Sequence, residues 1–179
     1  MHITHRRHYA AFSLIELMAV IAIMVILASM VVGGMGFVFE RQAKEKARVQ
    51  IALLTKAIEE YKLDNGSYPA TENSVDGSGN TNILFNALYY AGAADATGAT
   101  KIYLPELNPT TSKQGWTSGT ATATTKIMDP WKHEYHYRSA VNSSGTANTN
   151  TQNPDFDLWS TGKDGVNDPG KLKDDIRNF

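Results

Sequence analysis

From Leu17 to Phe39 the chain runs 23 residues without a charged side chain. At about 1.5 Å per residue such a run makes roughly 35 Å of helix, enough to cross a hydrocarbon core of about 30 Å. Arg6 and Arg7 precede it, whereas the flank after it is the mixed-charge Glu40-Arg41. An excess of arginine on one side keeps that side cytoplasmic, so the remaining 140 or so residues are expected on the other side of the membrane. A cleaved secretory signal is the competing reading, but its apolar core spans only about 7 to 15 residues and ends at a small-residue site. Here the run passes, without a proline, into a charged amphipathic segment.

Glu16 stands at the cytoplasmic edge of this run, in "AFSLIEL". A charged side chain at the middle of a membrane helix costs about 2.5 to 3.5 kcal/mol on insertion scales, and less toward the interface. Either the carboxylate snorkels to water or it has a partner. From Glu40 to Asp64 the apolar positions Ala43, Ala47, Ile51, Leu54, Ile58 and Tyr61 recur at helical spacing. Together they make one buried stripe. One helix is therefore expected from about Phe12 to Asp64, divided into a transmembrane half over 12–39 and an amphipathic half over 40–64. "DNGSYP" should stop it, with glycine for left-handed backbone and then a proline.

Beyond Pro69 polar loops surround short ordered pieces. "NILFNALYYAG" reads as a short helix ended by its glycine, and "EYHYRSAV" and "DFDLWS" alternate as half-buried strands of an antiparallel hairpin. The chain has no cysteine, so disulfides and thiolate metal sites are excluded. With 17 basic and 18 acidic residues it is no basic nucleic-acid binder either. No nucleophile motif or phosphate loop is present, so an enzyme is not expected. His133 and His136 lie three apart, a spacing that on a strand sends them to opposite faces and argues against a shared metal. Asp164, Asp168, Asp174 and Asp175 fall within "TGKDGVNDPGKLKDDI". Taken alone the cluster is either a solvated tail or an oxygen-ligated calcium loop; the EF-hand spacing is absent.

The octet Ala11-Phe12-Ser13-Leu14-Ile15-Glu16-Leu17-Met18, followed by "AVIAIMVILASMVV", resembles the type III signal of the type IV pilin-like proteins. Within that group, "YKLDNGSYP", "YLPEL" at 103–107, "DPWKHEYHYRS" at 129–139 and "DFDLWSTGKDG" at 155–165 are similar to the type II secretion major pseudopilins. The resemblance implies an α+β fold: a long N-terminal helix under a small antiparallel sheet, with a calcium-binding C-terminal loop. It implies that residues 1–11 are a leader removed by the prepilin peptidase between Ala11 and Phe12, with methylation of the new amine. That amine would then pair with Glu16 of a neighbouring copy. It implies calcium held by the side chains of Asp164, Asp174 and Asp175 and the carbonyls of Thr161 and Val166, with Asp168 a further candidate. The implied partners are further copies in a helical polymer, minor pseudopilins, the inner-membrane platform of the secretion system and membrane lipid. The implied function is a periplasmic fibre that drives protein export. A type IV pilin for adhesion, motility or DNA uptake is the alternative, and a signal-anchored periplasmic sensor a second one. Three departures stand out. Ala11 and Lys132 occupy positions where the family usually has glycine, and about twenty extra residues, over 108–128, are expected to form a surface loop.

Overall fold

The computed structural model describes residues 12–72, 80–111, 114–117, 120–167 and 174–179; within the first helix the side chains of 31–35 are not described. Two compact units are present, residues 1–40 and 41–179.

Helix α1 runs from Leu14 to Asn65, 52 residues with no proline inside. Its start is a capping box: Ser13 Oγ accepts from the Glu16 amide at 3.3 Å, and Glu16 Oε2 accepts from the Ser13 amide at 3.0 Å. Its end lies where "DNG" places it. The Gly66 amide donates to Lys62 O at 2.7 Å with a φ of 77°, which a side chain would resist.

In the first unit the described apolar side chains of α1 are exposed all round, from Leu14 (77%) through Met30 (70%) to Phe37 (71%). Among the described residues no helix is long and apolar enough to cross a membrane. The span expected over 12–39 includes residues 31–35, whose side chains lie outside that description.

The second unit is the head. Here α1 buries Ala47, Gln50, Ile51, Leu54, Ala57 and Ile58. Ala43 and Tyr61, also on the expected stripe, are only partly buried. In the same core as the stripe are Leu84, Phe85 and Leu88, Tyr135 just before the sheet, and the sheet residues Tyr137 and Leu158. Each large aliphatic side chain removed from water contributes about 1.5–3 kcal/mol. The sheet has three antiparallel strands in the order β1-β2-β3: β1 His136–Ser139, β2 Phe156–Ser160 and β3 Ile176–Arg177. The first two pair in the register His136↔Trp159 to Ser139↔Phe156, the expected hairpin with its long loop. Two points differ from expectation. Strand β2 is buried at every position, and β3 pairs with its far edge through Trp159↔Arg177 and Ser160↔Ile176. Burial of Asp157 within β2 is compensated by Arg138, its cross-strand partner at 2.9 Å. Asp157 also accepts from the amides of Gln152 and Asn153, both at 2.9 Å, which closes the hairpin loop.

Two further expectations are corrected. Gly92 does not end the helical segment after Thr81. That segment runs through α2 Thr81–Phe85, a π turn over Asn86–Tyr90 and α3 Ala91–Ala94, with Gly92 inside it. Glycine stands there because the chain at 101–102 crosses against it; a Cβ would lie 2.7 Å from Ile102 Cγ1 and 2.8 Å from Lys101 O. The extra segment at 108–128 is also not merely a surface loop. Trp116 is fully buried, its indole donates to Glu106 O at 2.8 Å, and Trp116 O accepts from the Met128 amide at 2.8 Å. An apolar ring of that size outweighs the polar composition around it.

Candidate assembly and cation-binding sites

Phe12 lies just before α1 and is exposed, and Glu16 lies in its first turn. The carboxylate already has a use within one chain, since it caps the helix through the Ser13 amide. The Ser-x-x-Glu spacing was visible in the sequence as a capping signature. Ala11, like the rest of the leader expected over 1–11, lies outside the described residues.

Within the second unit, residues 161–167 leave β2 and residues 174–179 return along it. Gly162 and Gly165 have φ values of 66° and 68°. Both glycines are required by close approach. A Cβ on Gly162 would lie 2.6 Å from Asp174 O, and one on Gly165 would lie 2.8 Å from His133 Nε2. Asp174 Oδ2 accepts from the amides of Lys163 (3.0 Å) and Asp164 (3.2 Å), and Asp164 Oδ1 accepts from the Val166 amide at 2.9 Å. The structure thus brings Asp164, Val166 and Asp174 together.

Asp175 behaves differently. Its side chain is 1% exposed; Oδ2 pairs with the Arg177 guanidinium at 2.6 Å, while Oδ1 is buried with no hydrogen-bond partner. Thr161 Oγ1 is also buried and unpartnered. Orphaned buried oxygens are costly, and oxygen is the donor that calcium prefers. The donors present therefore suit a hard cation in kind. Among the described residues, however, no group of three His, Asp or Glu side chains converges to hold a metal. Asp168 lies outside the described residues.

The "DPW" block sits under this loop. Asp129 is buried; its Oδ1 accepts from the amides of Trp131 (2.9 Å) and His133 (2.8 Å), and its Oδ2 accepts from the Ser160 hydroxyl at 2.6 Å. Lys132, between them, has a φ of 74°, the left-handed conformation that explains why glycine suits this position. Its ammonium donates to Gly115 O at 3.1 Å. His133 precedes the strand instead of lying on it, and its Nδ1 is 2.9 Å from Gly162 O. His136 stacks on Trp159 at 4.9 Å. The two histidines therefore have separate surroundings, although the strand argument for separating them does not hold.

Comparison with known proteins matches residues 6–32 to the prokaryotic N-terminal methylation motif. Residues 38–82 and 104–179 match the type II secretion system protein G family, well over half of the chain. The chain belongs to that family. Type II secretion system core protein G of Klebsiella michiganensis is 29% identical over 97% of this chain and 95% of its own length. The protein of that name from Pseudomonas aeruginosa is 28% identical over 97% of both chains. The one from Aeromonas hydrophila is 42% identical over a shorter stretch, and there the match spans half of the relative's length. The protein G match favours the secretion reading over the type IV pilin one, and the fold is the expected α+β arrangement of a helix with a small antiparallel sheet. Sequence reasoning missed three features of this protein G family member: the Ser13–Glu16 cap, the role of Asp129 and the Asp175–Arg177 pair. Only the first had a spacing signal of its own.

Proposed function

We propose that this chain is the major structural subunit of a periplasmic fibre that drives protein export by type II secretion, with a structural and not a catalytic role. The observation that carries this reading is α1 before Glu40, whose described apolar side chains are exposed on every side. A helix apolar all round needs a membrane or other helices around it. The leader over 1–11 is removed between Ala11 and Phe12. The helix over 12–39 then holds the subunit as a single pass, with its N-terminus cytoplasmic and residues 40–179 periplasmic. On assembly Glu16 exchanges its cap on Ser13 for the new amine of a neighbouring copy, a charge-assisted contact that fixes axial position. Minor pseudopilins and the inner-membrane platform are the further partners.

The C-terminal loop is read as a calcium site. Asp164, Asp174 and Asp175, with the carbonyls of Thr161 and Val166 and the candidate Asp168, would hold the ion; the buried, unpartnered Asp175 Oδ1 and Thr161 Oγ1 support this choice. Bound calcium supplies charge neutralisation among clustered carboxylates in a chain without cysteine. N-terminal sequencing of fibre material tests the assembly reading. A first residue of Phe12 with a methylated amine, together with loss of fibres in Glu16→Gln, is the expected result. Fibres that retain Met1, or that form normally in Glu16→Gln, overturn it.

A further inference from the structure

His133 lies on the turn after "DPW", next to a loop to which nothing in its sequence position connects it. Its backbone is fixed from below, because its amide donates to the buried Asp129 Oδ1 at 2.8 Å and its carbonyl accepts from the Asp129 amide at 2.7 Å. Its ring reaches across 29 positions of sequence to Gly162 O at 2.9 Å. A carbonyl oxygen has no proton to give, so Nδ1 carries the hydrogen and donates. The opposite edge of the ring rests on Gly165, where a Cβ would come within 2.8 Å of Nε2 and 2.9 Å of Cε1. One imidazole thus touches both glycines of "TGKDG", on either side of the Lys163 and Asp164 amides that point at Asp174.

Asp129 completes the connection, since its other oxygen accepts from the hydroxyl of Ser160, the last residue before the loop. The Ser160 hydroxyl in turn accepts from the Gly162 amide at 3.1 Å. Entry to the loop and the turn below it are therefore tied to one buried carboxylate, and the imidazole spans the gap between them.

We propose that His133 is a positioning residue for the C-terminal loop: through its Nδ1–H bond to Gly162 O and its contact with Gly165 it sets the backbone path that aims the Lys163 and Asp164 amides at Asp174. This deepens the reading of that loop as a cation site, but the bond itself needs no cation. Loss of the imidazole leaves Gly162 O without its donor and opens space beside Gly165. The two positive-φ glycines then keep only the Ser160 bond to the Gly162 amide and the Asp174 contacts of the residues between them.

The test is amide hydrogen exchange on the full-length chain in detergent, for wild type, His133→Leu and His133→Asn, each with calcium and with a chelator. Leucine fills the volume without a donor, whereas the asparagine amide nitrogen stands at the same number of bonds from the backbone as Nδ1. The expected result is exchange about tenfold faster over residues 161–167 in His133→Leu, recovery toward wild type in His133→Asn, and no change over α1 residues 44–58. Nitrogen NMR of the neutral imidazole should show the Nδ1–H tautomer. Unchanged loop exchange in His133→Leu, asparagine no better than leucine, or an Nε2–H tautomer each overturn the proposal. The comparison of variants is made at fixed calcium, so a wild type indifferent to calcium would sink the cation reading and leave this one standing.

Discussion

The two halves of α1 are built from the same kinds of side chain and reach opposite outcomes. Before Glu40, Leu27 and Met30 are more than half exposed; after it, Leu54 and Ile58 are fully buried. The difference lies in arrangement. The second half concentrates its apolar residues on one stripe and has a sheet and a second helical segment to cover it. The first half has them on every face, and among the described residues they stay exposed. One half is finished by folding and the other only by its surroundings.

The sharpest way to break this comparison is to remove residues 1–40. The head should remain folded, with unchanged near-ultraviolet circular dichroism, while polymer formation is abolished outright in electron micrographs. Next in size is a pair of substitutions. Trp116→Ala should lower the stability of the head by about 3–5 kcal/mol in denaturant unfolding, as for other large buried aromatics. Met24→Ala, at a residue 64% exposed, should leave the same unfolding curve unmoved. A large effect of Met24 on head unfolding would mean that the two halves are not independent.

Within the head the C-terminal loop should be the part that depends on something added. At calcium about a hundredfold above its dissociation constant, the wild type should gain about 2.7 kcal/mol in thermal or denaturant unfolding, and Asp174→Ala should lose most of that gain. Lys132→Gly should raise stability by up to about 1 kcal/mol, since relief of the left-handed backbone outweighs one exposed hydrogen bond. The smallest effect concerns Asp95, whose carboxylate accepts from Thr97 and Thr100 and is thereby held far below the usual carboxylate range. A depressed folded value means that its contribution is present at neutral pH, declines as the pH falls below the ordinary carboxylate range and is gone once the pH has passed the low folded value. In an NMR titration its carboxyl resonance should stay put through the pH range in which an ordinary carboxylate titrates.

How far the sequence could be read follows the range of the forces involved. The extent of α1, its stop at Asn65-Gly66 and the stripe at Ala47, Ile51, Leu54 and Ile58 depend on local periodicity, so they were legible. Strand β3 was not, because two residues carry no alternation and Ile176 acquires its meaning only from Ser160 across the sheet. The π turn and Gly92 were hidden for the same reason, since the approach of Lys101 and Ile102 is a tertiary event. For the C-terminal site, the sequence showed the aspartates but not their different positions. Asp174 faces loop amides, while Asp175 is buried against Arg177. Lys132 could be seen as an oddity, but its left-handed φ and its bond to the extra segment could not.

Tyr135 donates its hydroxyl to Gln50 Oε1 at 2.7 Å, across the face where the sheet meets α1. Burial pushes the Tyr135 phenol well above its ordinary pKa, so it stays a neutral donor at any physiological pH. A helix clad only in aliphatic groups could slide by a turn along the sheet and lose little. With this polar peg in place, every slipped alignment would strand a phenol and an amide in a dry interior, at roughly 1–3 kcal/mol apiece. For a subunit whose shaft must bear on its neighbours at a repeated height, that peg turns a greasy contact into a graduated one.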